Sequence, residues 1–229
     1  MSFSKKKRFF IYGLGVSGLS AALFLKEKSY SIFCWDDNSK KRINAKQKKL
    51  NIVSYNSVDF SKIDYIIVSP IINHRLKSLN PIIQNAKQNK VKIISDLELI
   101  EIFKEKNLKI GVTGTNGKST TTKFIQLSLL SKKQKITACG NIGLPIGDVI
   151  KKSNSSDIFV VEASSFQLDK IHSLKFDITI LLNISTDHLD WHGSFRKYKE
   201  SKTNIFRNQD KNCFSIICID DKNCKNIAF

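Results

Sequence analysis

Residues 109–120 read Lys-Ile-Gly-Val-Thr-Gly-Thr-Asn-Gly-Lys-Ser-Thr. Lys109–Thr113 is a short β-like run, Gly114–Gly117 a glycine turn, and Lys118 opens a segment with Phe124, Ile125, Leu127, Leu129 and Leu130 apolar. That pattern predicts a strand, a tight turn and a helix over 118–131. A strand that feeds a glycine turn and a helix start aims backbone N–H groups at an anion. Gly114, Thr115, Asn116, Gly117 and Thr120 would line a nucleotide's phosphates, Lys118 would reach the β- and γ-phosphates, and the Ser119 hydroxyl would serve Mg²⁺. The strict GxxxxGK[ST] spacing fails by one position, because its first glycine would fall on Val112 while Gly111 stands one residue early.

Working outward, Ile158–Glu162, Ile178–Asn183 and Phe214–Ile219 are further apolar runs, the kind expected of parallel strands covered on both faces. Upstream, strands are predicted at Arg8–Tyr12, Ser31–Trp35, Tyr65–Ser69 and Val91–Ile94, and helices at Leu19–Lys28, Pro81–Asn89 and Leu97–Lys106. The alternation predicts an α/β chain: a Rossmann-like parallel-sheet domain over 1–107, then a phosphate-loop domain over 108–229. The first domain carries its own glycine motif, Gly13-x-Gly15-x-x-Gly18, followed by Asp36 and Asp37 at the end of the next strand. This motif suits a dinucleotide, any other nucleotide diphosphate, or a bare strand–helix turn.

Composition narrows the class. The chain has 229 residues, 41% hydrophobic and 25% charged, which excludes disordered, collagen-like and disulfide-scaffold proteins. The net charge of +18 comes from 33 lysines and only 5 arginines, alongside 31 isoleucines and 18 asparagines. That profile reads as compositional bias rather than a nucleic-acid surface, where arginine clusters with aromatics. Lys5–Arg8 is the one run of four cations, so no nucleic-acid partner is expected, while anionic substrates are favoured. No stretch approaches 18 unbroken apolar residues, so no membrane span is expected. The N-terminal apolar run is broken by Gly13, Gly15 and Gly18 and does not read as a signal peptide. The five cysteines form no CxxC pair, which points to free thiols in the cytoplasm and away from zinc.

The remaining polar signals lie in Gly140-Asn-Ile-Gly-Leu-Pro145, Glu162-Ala-Ser-Ser-Phe-Gln-Leu168 and Asn183-Ile-Ser-Thr-Asp-His-Leu-Asp190, followed by Tyr198 and Lys202. Glu162 ends a predicted strand, where a carboxylate suits Mg²⁺ on a nucleotide. Asp187 and His188 lie just past the next strand, at the carboxyl edge where α/β sheets bind ligands. Taken singly, His188 and Lys202 read as ordinary structural or surface residues.

The loop G-T-N-G-K-S-T resembles that of the Mur ligases, and folylpolyglutamate synthases share a related loop. Together with E-A-S-S-F-Q-L, Gly13–Ser20, Ser69-Pro70 and Asp96-Leu-Glu-Leu99, the chain resembles the D-glutamate-adding branch of the Mur ligase family across its length. The resemblance implies an ATP-dependent ligase that joins D-glutamate to UDP-N-acetylmuramoyl-L-alanine through an acyl phosphate, and it implies a monomer. It implies catalytic roles for Lys118, Asp187, His188 and Lys202, and metal roles for Ser119, Glu162, His188 and Lys202, with two Mg²⁺ ions and a carbamylated Lys202. Gly13, Gly15, Val16, Ser17, Gly18, Asp36, Ser69, Asn141 and Ser164 would touch the UDP-linked substrate. The family commonly has glycine where this chain has Ile71, and its members are about twice as long, with a third domain. The chain is therefore expected to be a truncated member with an incomplete central domain. A non-catalytic nucleotide-binding fragment and an NAD(P)-dependent oxidoreductase are the alternatives.

Overall fold

The computed structural model describes residues 7–75, 80–129 and 134–228. In chain order its elements are β1 (Arg8–Tyr12), α1 (Val16–Glu27), β2 (Ser31–Trp35), α2 (Ser39–Gln47), β3 (Tyr65–Val68), α3 (Pro81–Gln88), β4 (Lys92–Ile94), α4 (Glu98–Lys104), β5 (Lys109–Thr113), α5 (Lys118–Ser128), β6 (Ile136–Gly140), α6 (Ile146–Lys152), β7 (Ile158–Glu162), α7 (Ser165–Leu168), β8 (Ile178–Leu181), α8 (Leu189–His192), α9 (Phe195–Thr203), β9 (Phe214–Ile217) and α10 (Lys222–Ala228). The strands form two parallel sheets, ordered β2-β1-β3-β4 and β6-β7-β5-β8-β9. The α/β class is as the alternating pattern predicts. Leu130 and Ser131 of the predicted helix, and Lys5 and Lys6 of the basic run, lie outside the described residues.

The chain divides into two compact units. The first runs to Asp96 and takes in Ile146–Lys151; the second comprises Leu97–Pro145 and continues from Lys152. The division differs from one at residue 107, and side chains explain both differences. The buried Glu98 carboxylate accepts the backbone N–H groups of His172, Ser173 and Leu174, which ties α4 to the second unit. Within the first unit, Ser20 Oγ donates to Asp148 Oδ1 at 3.0 Å and accepts Asp148 N–H at 3.0 Å. Lys151 pairs with Glu27 there. A Cβ on Gly147 would stand 2.4 Å from the Ser20 carbonyl oxygen, so that contact requires glycine.

In the first unit, Phe10 and Tyr12 of β1 pack with Ile66 and Val68 of β3 against Ile82, Ile83 and Ala86 of α3. Each large side chain so buried stabilises the fold by roughly 1.5–3 kcal/mol. Asn80 caps α3 and Pro81 sits at its first position, where its missing N–H costs nothing. Helix α2 buries only Ala45 and therefore has no apolar stripe to betray it in the sequence.

In the second unit β5 lies between β7 and β8, with Val112 opposite Glu162 and Thr113 opposite Leu181. This register brings the glycine turn, Glu162 and the segment after β8 to one carboxyl edge. Strand β9 departs from the expectation of coverage on both faces. It lies at the sheet edge, with Phe214 69% and Ile216 55% exposed.

Candidate functional site

The glycine turn of the second unit is fastened to the segment after β8. Thr115 N–H donates to the Asn183 carbonyl at 2.9 Å. The Asn183 side chain accepts Asn116 N–H at 2.8 Å and donates back to the Asn116 carbonyl at 3.1 Å. Thr115 Oγ1 accepts Ser185 N–H at 3.0 Å and lies 2.9 Å from the Tyr198 hydroxyl. Two loop N–H groups are thus spent on the scaffold. Those of Lys118, Ser119 and Thr120 precede the first α5 bond, from Thr121 N–H to the Gly117 carbonyl, and so have no acceptor within the helix. Gly117 has φ +80°, a left-handed conformation that favours glycine.

Two lysines close on this turn. Lys118 Nζ donates to the Thr115 carbonyl at 2.6 Å. Lys202 Nζ, in a residue only 2% exposed, donates to the Gly114 carbonyl at 2.6 Å and lies over the Tyr198 ring. Burial, then the Lys118 charge, push the Lys202 amine down from 10.5 to about 7, while Asp187, Cys224 and Glu162 pull it upward. Lys118, Asp187, Glu162 and Lys202 therefore share one electrostatic neighbourhood.

Glu162 is 1% exposed. Its Oε1 accepts the Asn141 side-chain amide at 2.8 Å, and Asn141 N–H donates to the Glu162 carbonyl at 2.8 Å. Its Oε2 is buried with no hydrogen-bond partner. A buried carboxylate oxygen left without a donor is costly unless a cation meets it. Among the described residues no three His, Cys, Asp or Glu side chains are grouped to hold a metal on their own. Mg²⁺ needs no such cage, since it combines one or two carboxylates with phosphates and water. Glu162 and the exposed Ser119 hydroxyl fit that requirement.

His188 stands at φ +48°, sparsely populated for a residue with a Cβ. Its Nε2 lies 3.4 Å from Asp187 Oδ2, both side chains being over 40% exposed, and its ring packs on Phe166 with centroids 4.7 Å apart. Ser164 is buried and engaged as a helix cap. Its hydroxyl accepts Gln167 N–H, and the Gln167 side chain accepts Ser164 N–H, a capping box that accounts for the S-S-F-Q order.

In the first unit, a cavity of about 120 Å³ is lined by Tyr12, Gly13, Asp36, Asp37, Ser69 and Ile71 among others. It collects three of the predicted substrate residues, Gly13, Asp36 and Ser69. A Cβ on Gly13 would stand 2.5 Å from Ser69 Cβ, and one on Gly18 would stand 1.9 Å from the Gly13 carbonyl oxygen. Gly15 is the N-cap of α1, and Val16 and Ser17 form its first turn, before the first helix bond from Leu19 N–H to Gly15. Asp36 Oδ2 accepts Leu14 N–H at 2.6 Å and Oδ1 accepts Asn38 N–H at 2.8 Å, so this acid braces the glycine loop. Asp37 instead accepts the Tyr12 hydroxyl at 2.6 Å, and burial, then this contact, raises the tyrosine's pKa.

Two domain profiles match the chain. A Mur ligase middle domain covers residues 112–228, and a MurD-like Mur ligase N-terminal domain covers residues 7–95. The chain belongs to the Mur ligase family. It is 37% identical over 209 residues to a UDP-N-acetylmuramoylalanine–D-glutamate ligase of Wolbachia pipientis wMel, covering 90% of this chain and 40% of that protein. It is 36% identical to the enzyme of the same name from Rickettsia prowazekii, covering 99% and 50%. The chain thus spans about half the length of the curated relatives it matches. The Neisseria UDP-N-acetylmuramate:L-alanyl-gamma-D-glutamyl-meso-diaminopimelate ligase shares the fold at TM-score 0.60 and 15% identity, covering 97% of this chain and 74% of that one.

Several structuring residues of this Mur ligase chain escape sequence reasoning. Asn183 was visible only as the first letter of N-I-S-T-D-H-L-D. Tyr198 marks spacing in the sequence, yet it reaches the glycine turn. His192, 2% exposed, has no signal beyond its place in D-W-H-G.

Proposed function

We propose that the second unit binds ATP with Mg²⁺, that the first binds UDP-N-acetylmuramoyl-L-alanine, and that these sites serve ATP-dependent addition of D-glutamate in cytoplasmic peptidoglycan-precursor synthesis, and hence cell-wall growth. The partnerless Glu162 oxygen beside a glycine turn carrying Lys118 is the observation that carries this reading. The names of the relatives support the substrate assignment.

The chain's residues suit charge stabilisation of phosphoryl transfer. Lys118 would leave the Thr115 carbonyl for the β- and γ-phosphates, and the N–H groups at the start of α5 would hold phosphate oxygens. Glu162 and Ser119 would hold Mg²⁺, which when bound neutralises phosphate charge. The γ-phosphoryl group passes to the substrate carboxylate, giving an acyl phosphate and ADP. The amine of D-glutamate then attacks that carbonyl, and phosphate leaves as the amide forms. Lys202, whose amine is lowered to about 7 and so is neutral in a substantial fraction near pH 7, is suited to add to CO₂. A C–N bond would form with release of a proton, and the carbamate oxygens, with His188, would be the groups to hold a second Mg²⁺. Asn141 and Ser164 would act on the substrate mainly by shaping Glu162 and the turn after it.

Titration calorimetry of Mg·ATP on the 229-residue chain tests the nucleotide half. Lys118→Ala is expected to weaken binding roughly 10–100-fold, the range for losing a charged hydrogen bond. Unchanged affinity would overturn the role of Lys118, and absence of binding by the unmodified chain would overturn the site.

A further inference from the structure

Helix α9 presents Tyr198, Ser201 and Lys202 on one face, all buried, at the i, i+3, i+4 spacing that aligns side chains along a helix. Two of the three reach the glycine turn. The third, Ser201, enters a different network. Its Oγ donates to Asp169 Oδ1 and to the Lys197 carbonyl, each at 2.8 Å, and lies 3.3 Å from His192 Nδ1. His192 Nε2 lies 3.0 Å from Ser165 Oγ. Ser165, His192 and Ser201 are each at most 2% exposed.

The proton count fixes the direction of this chain. A serine hydroxyl has one hydrogen, and that of Ser201 is committed to acceptors, Asp169 and the Lys197 carbonyl. For a neutral imidazole, Ser201 Oγ therefore accepts from His192 Nδ1–H. His192 Nε2 is then an acceptor, and the Ser165 hydroxyl donates to it. The imidazole is also clasped by rings: Phe166 stacks on it at 5.6 Å and 6°, and Tyr198 meets it edge-on at 5.2 Å. Asp169, Ser165 and Phe166 belong to the segment that continues from Glu162, whereas Ser201 and Tyr198 belong to the helix that carries Lys202. His192 thus joins the strand end holding the partnerless carboxylate to the helix holding the buried amine.

We infer that His192 is a positioning residue that fixes α9 against the turn following Glu162, and so sets how Glu162, the proposed ligand of the nucleotide-bound Mg²⁺, stands relative to Lys202. This rests on the nucleotide-site reading above. It assigns His192 no contact with metal, nucleotide or substrate. Outer-shell partners of this kind change metal affinity about 10–100-fold when removed.

The test is calorimetry of ATP on the full 229-residue chain, with and without Mg²⁺, for the unmodified protein, His192→Phe and His192→Asn. Phenylalanine keeps the ring stack and removes both hydrogen bonds. Asparagine keeps a donor near Ser201 and removes the bond to Ser165. The expected result is that His192→Phe loses at least about ten-fold in Mg·ATP affinity while metal-free ATP binds within about two-fold, and that His192→Asn falls between. Should His192→Phe fail to fold, the asparagine variant is read by the same criterion: selective loss of the Mg²⁺-dependent part supports the role. Equal weakening with and without metal, or no weakening, overturns it. A second readout needs no nucleotide: ¹⁵N resonances of His192 should show a protonated Nδ1 and a bare Nε2, and the opposite tautomer would overturn the chain of bonds. If the unmodified chain binds no ATP while the tautomer is as expected, the nucleotide-site reading is overturned, and the positioning role falls with it.

Discussion

Lys202 shows how much of a residue's chemistry depends on where the chain puts it. In the sequence it is one of 33 lysines. In the fold it is buried under the glycine turn, beside Lys118, with its amine lowered to about 7. Linkage turns this into a stability profile. The unfolded chain holds the proton up to about 10.5, whereas the folded chain holds it only below about 7. Across that window the unfolded state binds more protons, so the lysine makes stability rise with pH, and below about 7 the full cost of burying its charge is present. In CO₂-free buffer, Lys202→Met is expected to flatten the rise in Tm between pH 7 and 10 relative to the unmodified chain. Parallel profiles for the two proteins would contradict the placement. The places of Lys118 and Ser119 at the start of α5 and of Glu162 at the end of β7 were legible because each sits at a fixed offset from a strand end. That Glu162 lacks a partner for Oε2, and that His192 bridges two segments, depends on packing between residues far apart in sequence. No periodicity encodes that.

At the scale of elements, the strands β1, β2, β5 and β7 were readable to the residue, because buried parallel strands are short apolar runs bounded by turn residues. The elements that went unread have other supports. Helix α2 is held by its Asn38 cap and one buried alanine, and α7 by a capping box. Helix α4 was read from its pattern, but its allegiance was not, since that rests on the Glu98 carboxylate and the three N–H groups of residues 172–174. Truncating this side chain removes the acceptor of three N–H groups, of which that of Leu174 is buried and costs about 1–3 kcal/mol when stranded. Glu98→Ala is therefore expected to destabilise the chain by roughly 1–3 kcal/mol in urea denaturation. A loss below about 1 kcal/mol would mean that the loop finds other acceptors.

At the scale of the whole molecule, the five-stranded sheet ends on β9, whose Phe214 and Ile216 are more than half exposed. An open parallel edge with large apolar side chains is a template for pairing with another chain. The 229-residue chain is expected to self-associate as its concentration rises, and Ile216→Lys to shift it toward monomer in sedimentation velocity. Identical sedimentation of the two proteins would argue against this edge as the contact. The two-sheet architecture was legible in the sequence, because each sheet announces itself with a strand–glycine–helix start. The placement of Ile146–Lys151 with the first unit was not, since it depends on Ser20 meeting Asp148 across 128 positions.

The first unit's glycine motif is proposed to serve a UDP-linked precursor and not a dinucleotide. Calorimetric titration of UDP-N-acetylmuramoyl-L-alanine into the 229-residue chain, with NADH as the control, tests it most directly. Saturable binding of the UDP-linked precursor and none of NADH is the expected result. Binding of NADH without the precursor, or of neither ligand by a folded sample, would contradict it.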